Sequence, residues 1–153
     1  MERKSLLGLI CSASFVLAAC SCTCGIDGTK VAPGSPEDFE KNVPNAVYFN
    51  FDNYKLTPSA EARVQAQKEW LQTYTNTNIA IEGHCDDRGT QEYNLALGQR
   101  RAEEVRKNLI KHGLDGTRVT SVVSYGKERP VNTGADEKAY AENRRAVTVV
   151  VPR

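Results

Sequence analysis

The chain has 153 residues, 40% of them hydrophobic and 25% charged, which suits one ordinary globular domain with a tail and leaves no room for a second large core. Its formal net charge is +1, and once the first 19 residues are set aside, with Glu2, Arg3 and Lys4, acids and bases balance. No global field draws it to nucleic acid, so nucleic acid is not expected as a partner.

Residues 1–19 read as a signal peptide. Arg3 and Lys4 make a short positive region, residues 6–17 are apolar, and small residues precede Cys20. The apolar run is too short for a comfortable transmembrane helix. Leu17-Ala18-Ala19-Cys20 has the form of a bacterial lipobox, in which cleavage frees the Cys20 amine and the thiol receives a diacylglycerol. Several acyl chains on one residue anchor firmly, at about 0.8 kcal/mol per buried CH₂. An ordinary signal peptide is the competing reading.

Cys11 leaves with the signal, Cys22 and Cys24 lie in the tail, and Cys85 belongs to the domain. Cys20, Cys22 and Cys24 lack a second His/Cys cluster to complete four ligands, so no metal site is expected there. An envelope location permits disulfides. Whether Cys22 and Cys24 pair with another chain stays open.

Residues 20–42 contain Gly25, Gly28, Pro33, Gly34 and Pro36 with almost no apolar periodicity, a linker composition expected to be extended. The domain is expected at residues 43–153. Residues 46–51 form a β-branched and aromatic run closed by Asp52-Asn53, predicting a mostly buried strand. Thr57 as N-cap and Pro58 at the first helical position open a helix to about Tyr74, with Ala60, Val64 and Leu71 on one face and Trp70 and Tyr74 at its border. Ile79, Ile81 and Gly83 alternate with Ala80 and Glu82 in a second strand. Leu95, Gly98, Ala102, Val105 and Leu109 then make one apolar helical stripe, with Gly98 allowing close approach, and Lys111-His112-Gly113 ends the helix. Arg101 falls on the edge of that stripe, whereas Arg100 points to solvent. Residues 119–124 read as a third strand, 126–130 as a turn, 136–142 as a short helix and 146–151 as a final buried strand. This alternation predicts an α/β arrangement, an α+β sandwich of helices on a mixed four-stranded sheet in βαβαβ(α)β order.

Several separated motifs carry a resemblance. Val47-Tyr48-Phe49-x-Phe51-Asp52-x-Tyr54, Glu82-Gly83-His84-Cys85-Asp86-x-Arg88-Gly89-Thr90, Tyr93-Asn94-x-x-Leu97-Gly98-x-Arg100-Arg101-Ala102, Ser124-Tyr125-Gly126-Lys127-Glu128 and Asn143-Arg144-Arg145-Ala146-Val147, behind a lipobox and a linker, resemble the peptidoglycan-associated lipoproteins of Gram-negative bacteria. The resemblance implies an OmpA-like domain that grips the diaminopimelate of the peptidoglycan stem peptide noncovalently. It also implies a lipid at Cys20 in the outer membrane, a domain facing the periplasm, Tol-system proteins such as TolB as partners, and no cofactor or enzymatic activity. By similarity Phe51, Asp52, Asp86, Thr90, Leu97 and Arg101 fall on the family's ligand-binding positions.

The chemistry of such a site is simple. The end of diaminopimelate carries an ammonium and a carboxylate on one carbon, so its receptor needs an anion and a cation a few ångströms apart. Asp86 fits the first role and the planar fork of Arg101 the second, with backbone N–H groups near Thr90 adding donors at a helix start. Phe51 and Leu97 fit the aliphatic part. On the residues alone, an Asp86–Arg101 ion pair that merely closes the loop is the plainer reading. A Cys-His hydrolase built on Cys85 and His84 and a protein-binding adaptor are the rival functions. Strand alternation, which sends His84 and Cys85 to opposite faces, argues against the hydrolase and against a metal cluster with Asp86 and Asp87. Arg144-Arg145 reads as a solvated strand entry or a local structural contact.

Overall fold

A computed structural model describes residues 31–151. The expected signal peptide, the lipidation site Cys20 and the tail cysteines Cys22 and Cys24 lie outside the described residues. Those described begin with a helix, α1 (Pro36–Asn42), followed by β1 (Ala46–Tyr48), α2 (Pro58–Thr73), β2 (Asn78–His84), α3 (Gln91–Lys111), a 3-10 turn, β3 (Val119–Gly126), α4 (Glu137–Asn143) and β4 (Arg145–Val151). The strands form one sheet in the order β1-β4-β2-β3. β4 runs antiparallel to both β1 and β2, whereas β2 and β3 are parallel, with α3 between them in sequence. The mixed four-stranded sheet is the expected one.

The helix caps follow the local chemistry. Thr57 and Thr90 accept hydrogen bonds from Ala60 N and Tyr93 N at the starts of α2 and α3, and Asp136 does the same for α4 through Ala139 N. α2 and α3 lie on one face of the sheet, where Ala60, Val64 and Leu71 meet Ala102, Val105 and Leu109 over Ile79, Ile81, Ala146 and Val150. Gly83 of β2 faces Gly98 of α3 so closely that a Cβ on Gly83 would stand 2.0 Å from the Gly98 carbonyl oxygen. The helix therefore rests directly on the strand, as Gly98 led one to expect, and the loop leaving β2 is held against the first turns of α3.

Three expectations need correction. The domain does not wait until Val43: Ser35 caps α1 by accepting from Asp38 N, and Phe39 is wholly buried against the edge of Trp70. Asp38 also accepts from Trp70 Nε1 at 3.0 Å. A cap, one aromatic anchor and one hydrogen bond suffice to dock seven residues whose Pro/Gly surroundings read as linker. The Ser35-Pro36-Glu37-Asp38 sequence was the signal for it. The strand expected over residues 46–51 is only β1, an edge strand, because the chain leaves the ladder after Tyr48 and turns; Phe49 is buried but Phe51 is 58% exposed. Leu95 is not part of the buried stripe. It lies against Gly126, at the end of the edge strand β3, and stays exposed.

Candidate functional site

At the end of the sheet where β2 runs into α3, a cavity of about 180 Å³ is lined by Phe51, Asp52, Asp86, Arg88, Gly89, Tyr93, Asn94, Leu97 and Arg101. Five of the six expected binding residues therefore share one wall. Thr90, the sixth, stands beside it as the N-cap of α3, with its hydroxyl committed to Tyr93 N.

Local structure explains each position. Asn94, Leu97 and Arg101 recur at three and four residues, a row beside the apolar stripe of α3 that covers the loop after β2. Arg101 is deeper than an edge position, only 1% exposed. Its Nε donates to Asn53 O at 2.9 Å, Nη1 to His84 O at 2.9 Å and to Cys85 Sγ at 3.4 Å, and Nη2 to Asn50 O at 3.2 Å. Of the five N–H groups of a guanidinium, four are thus engaged and one on Nη2 is left. A free two-pronged fork is therefore not available: the fork stitches the β1–α2 loop to the end of β2. Burial opposes the charge of Arg101, while Cys85 and Asp86 favour it.

Asp86 does not pair with Arg101. Its Oδ2 accepts from Arg88 Nη2 at 2.5 Å and from Arg144 Nη1 at 3.4 Å, and Oδ1 has no protein donor. Asp86 is 4% exposed, so two arginines hold its carboxylate in a fixed orientation with one oxygen uncommitted. Arg88 itself lies between two rings, 4.1 Å from the centroid of Phe51 and 4.4 Å from that of Tyr140, and reaches Glu137 at 3.4 Å. This stacking explains how an exposed Phe51 is kept at the pocket mouth. Asp52 has a left-handed backbone, φ 51°, and accepts a hydrogen bond from the Tyr93 hydroxyl. A non-glycine residue in that region is uncommon, and here it turns the Asp52 carboxylate back towards α3.

Sequence reasoning missed Arg88, Tyr93 and Arg144 as parts of this site. All three lie inside the motifs already singled out, and that membership was the available signal. Arg144 is not a solvated strand entry: it is 7% exposed and bridges Phe49 O, Asp86 and Glu137. Its partner is 58 residues away, which no local pattern reveals.

Nucleophilic chemistry finds no support. Cys85 is buried, its Sγ donates to Asn94 O at 3.3 Å, and burial pushes its thiol above the ordinary range, whereas a nucleophile needs thiolate. His84 turns to the other side of the sheet, beside Tyr125. Among the described residues no group of three or more His, Cys, Asp or Glu side chains is placed to hold a metal ion.

Comparison with known proteins identifies the family and the fold. Residues 48–144 match the model of the OmpA family. The chain is 44% identical over 126 residues to a peptidoglycan-associated lipoprotein of Rhizobium meliloti, covering 82% of this chain and 71% of that protein. It is 38% identical over 149 residues to one of Pasteurella multocida, covering 96% and 98%. The crystal structure of the peptidoglycan-associated lipoprotein from Burkholderia pseudomallei superposes with a TM-score of 0.66 at 44% identity, over 70% of this chain and 90% of that one. The C-terminal domain of Helicobacter pylori MotB shares the fold at 19% identity, with a TM-score of 0.65 over 71% and 84% of the chains.

Proposed function

The chain belongs to the OmpA family and, within it, to the peptidoglycan-associated lipoproteins, and on that premise we propose that the cavity beside Arg101 receives the diaminopimelate end of a peptidoglycan stem peptide. The protein is an envelope binding protein and not an enzyme. One observation carries the reading: the buried guanidinium of Arg101 has only carbonyl and sulfur acceptors and no carboxylate of its own, while Asp86, on the wall of the same cavity, has an Oδ1 without a protein donor. The cation keeps one N–H and the anion one oxygen without a protein partner, and the two do not pair with one another. A ligand bearing a carboxylate and an ammonium on one carbon completes both.

In this reading the ligand carboxylate accepts the remaining N–H of Arg101 and the ammonium donates to Asp86 Oδ1. Arg88 and Arg144 hold the other oxygen of Asp86, so the carboxylate is oriented before the ligand arrives, which lowers the ordering cost of binding. Leu97 and the Phe51 ring flank the aliphatic stem. Asp52, fixed by Tyr93, adds a second acceptor at the mouth, and Thr90 sets the first turn of α3 beside it.

With Cys20 lipidated, the described domain is tethered to the outer membrane on the periplasmic side, and holding peptidoglycan there ties membrane to wall; Tol-system proteins are the partners that fit this role. The test is sedimentation of the protein with purified sacculi, with an Asp86→Asn variant alongside. Wild-type protein is expected in the pellet and the variant in the supernatant. Wild-type protein that stays in solution would leave the adaptor reading standing instead. For the anchor, Cys20→Ser is expected to yield an uncleaved precursor without the acyl mass, and mature membrane-bound variant protein would refute lipidation.

A further inference from the structure

The face of the sheet turned away from α2 and α3 carries a second cavity, of about 610 Å³, whose wall includes Tyr48, Glu82, His84, Arg129, Glu142 and Arg145. It arises because Glu82 and His84 of β2 and Arg145 of β4 alternate with the buried residues Ile81, Gly83 and Ala146, while the segment after β3 brings Arg129 over them.

Its polar groups are under-satisfied in a consistent way. His84 is 2% exposed, yet neither ring nitrogen has a hydrogen-bond partner in the protein. Its Nε2 stands 3.8 Å from Glu82 Oε2, too far for a hydrogen bond. Arg145 is 7% exposed and reaches only two carbonyl oxygens, those of Asn143 at 3.4 Å and Arg129 at 3.2 Å. Arg129 lies over the Tyr125 ring, 3.7 Å from its centroid. Among the described residues neither of these arginines has a carboxylate within ion-pair distance. Buried polar groups in folded proteins are nearly all paired, so an imidazole without a partner and a buried guanidinium held only by two carbonyls, with the exposed Arg129 beside them on one cavity, point to something that enters it.

We propose that this cavity is a second binding site, separate from the Asp86 pocket, for a carboxylate-bearing ligand held by Arg129 and Arg145 with a ring N–H of His84. A planar carboxylate matches the guanidinium fork and the imidazole donor. The acids Glu82 and Glu142 on the same wall disfavour a doubly charged group, which sets a carboxylate ahead of a phosphate. Burial, with the two arginines after it, holds His84 down to about 4, and burial also opposes the charge on Arg145. An anion in the cavity relieves both effects.

The sequence has two histidines, which makes the test direct. His112, exposed at the C-terminal cap of α3, serves as the internal reference. The full chain is titrated with acetate at neutral pH and constant ionic strength while both imidazoles are followed by NMR. A saturable shift of His84, with His112 unmoved, is the expected result. Arg129→Gln, at an exposed position, should raise the half-saturating acetate concentration about tenfold, the loss of one charge-assisted bond. Arg100→Gln, which makes the same charge change elsewhere on the surface, should leave it alone. Absence of a saturable His84 shift would mean that the cavity holds only water and would overturn the proposal, as would equal effects of the two variants. Inorganic phosphate saturating below acetate would overturn the ligand class.

Discussion

The two faces of the sheet each bury an arginine, and they do so on different terms. Arg101, midway along α3, donates four hydrogen bonds that tie residues 50 and 53 to the end of β2. Arg145, across the sheet, makes two long bonds to carbonyls and is otherwise turned to a cavity. A buried cation stitched into backbone carbonyls is part of the scaffold as well as of the site, whereas one left loosely bonded beside an unpaired imidazole contributes little to the fold and is poised for a ligand. The difference teaches that burial alone does not tell how far an arginine serves the fold; the tally of engaged N–H groups does.

The sharpest break of this comparison is Arg101→Leu. It takes the guanidinium donors from the carbonyls of Asn50, Asn53 and His84, of which Asn50 O keeps only a long bond from Asn53 N at 3.3 Å, and a stability loss of about 3 kcal/mol or more is expected in chemical denaturation. A loss below about 1 kcal/mol would take Arg101 out of the scaffold. On the other face the largest effect is one of pH. His84 has its pKa lowered from 6.5 to about 4, so the fold favours the neutral ring. The stability it supports is whole above pH 6.5, falls as pH drops from 6.5 to about 4, and is lost below, a change of about 3 kcal/mol. In denaturation midpoints at pH 7 and pH 4.5, His84→Gln should lose less stability on acidification than wild type, and parallel slopes would remove His84 as the cause.

Asp86→Asn tests the other half of the first face. Arg144 retains Glu137 and Phe49 O, so the melting temperature should change little. Affinity for a diaminopimelate-containing stem peptide, measured by calorimetric titration, should fall about 30-fold, the low end of the cost of stranding one member of a buried charge pair. Unchanged affinity would end the ammonium assignment. The smallest effect belongs to the rim: Tyr93→Phe removes the hydroxyl that steadies Asp52, and a decrease of about threefold in the same titration is expected from one exposed hydrogen bond. A 30-fold loss there would mean that Asp52, not Asp86, is the principal acceptor.

Short-range information sufficed for much of this molecule. Thr57, Thr90 and Asp136 name their helix starts because each cap bonds a donor three residues on, and Ile79, Ile81 and Gly83 name a buried face because strand side chains alternate. The motif residues Phe51, Asp52, Asp86, Leu97 and Arg101 could be gathered from the sequence through their resemblance to a family, and the fold does bring them to one cavity. The pairing of charges was beyond reach. Asp86 was matched with Arg101, 15 positions on, but its partners are Arg88 and Arg144, and Arg144 arrives only because β4 returns to the centre of the sheet beside β2. The docking of α1 was equally hidden, since its single anchor, Phe39, gains a surface only when α2 places Trp70 above it. Caps and alternation are settled by neighbours a few residues apart, whereas ion-pair choice and the burial of a lone aromatic depend on which distant elements share a cavity, and the tertiary structure alone decides that.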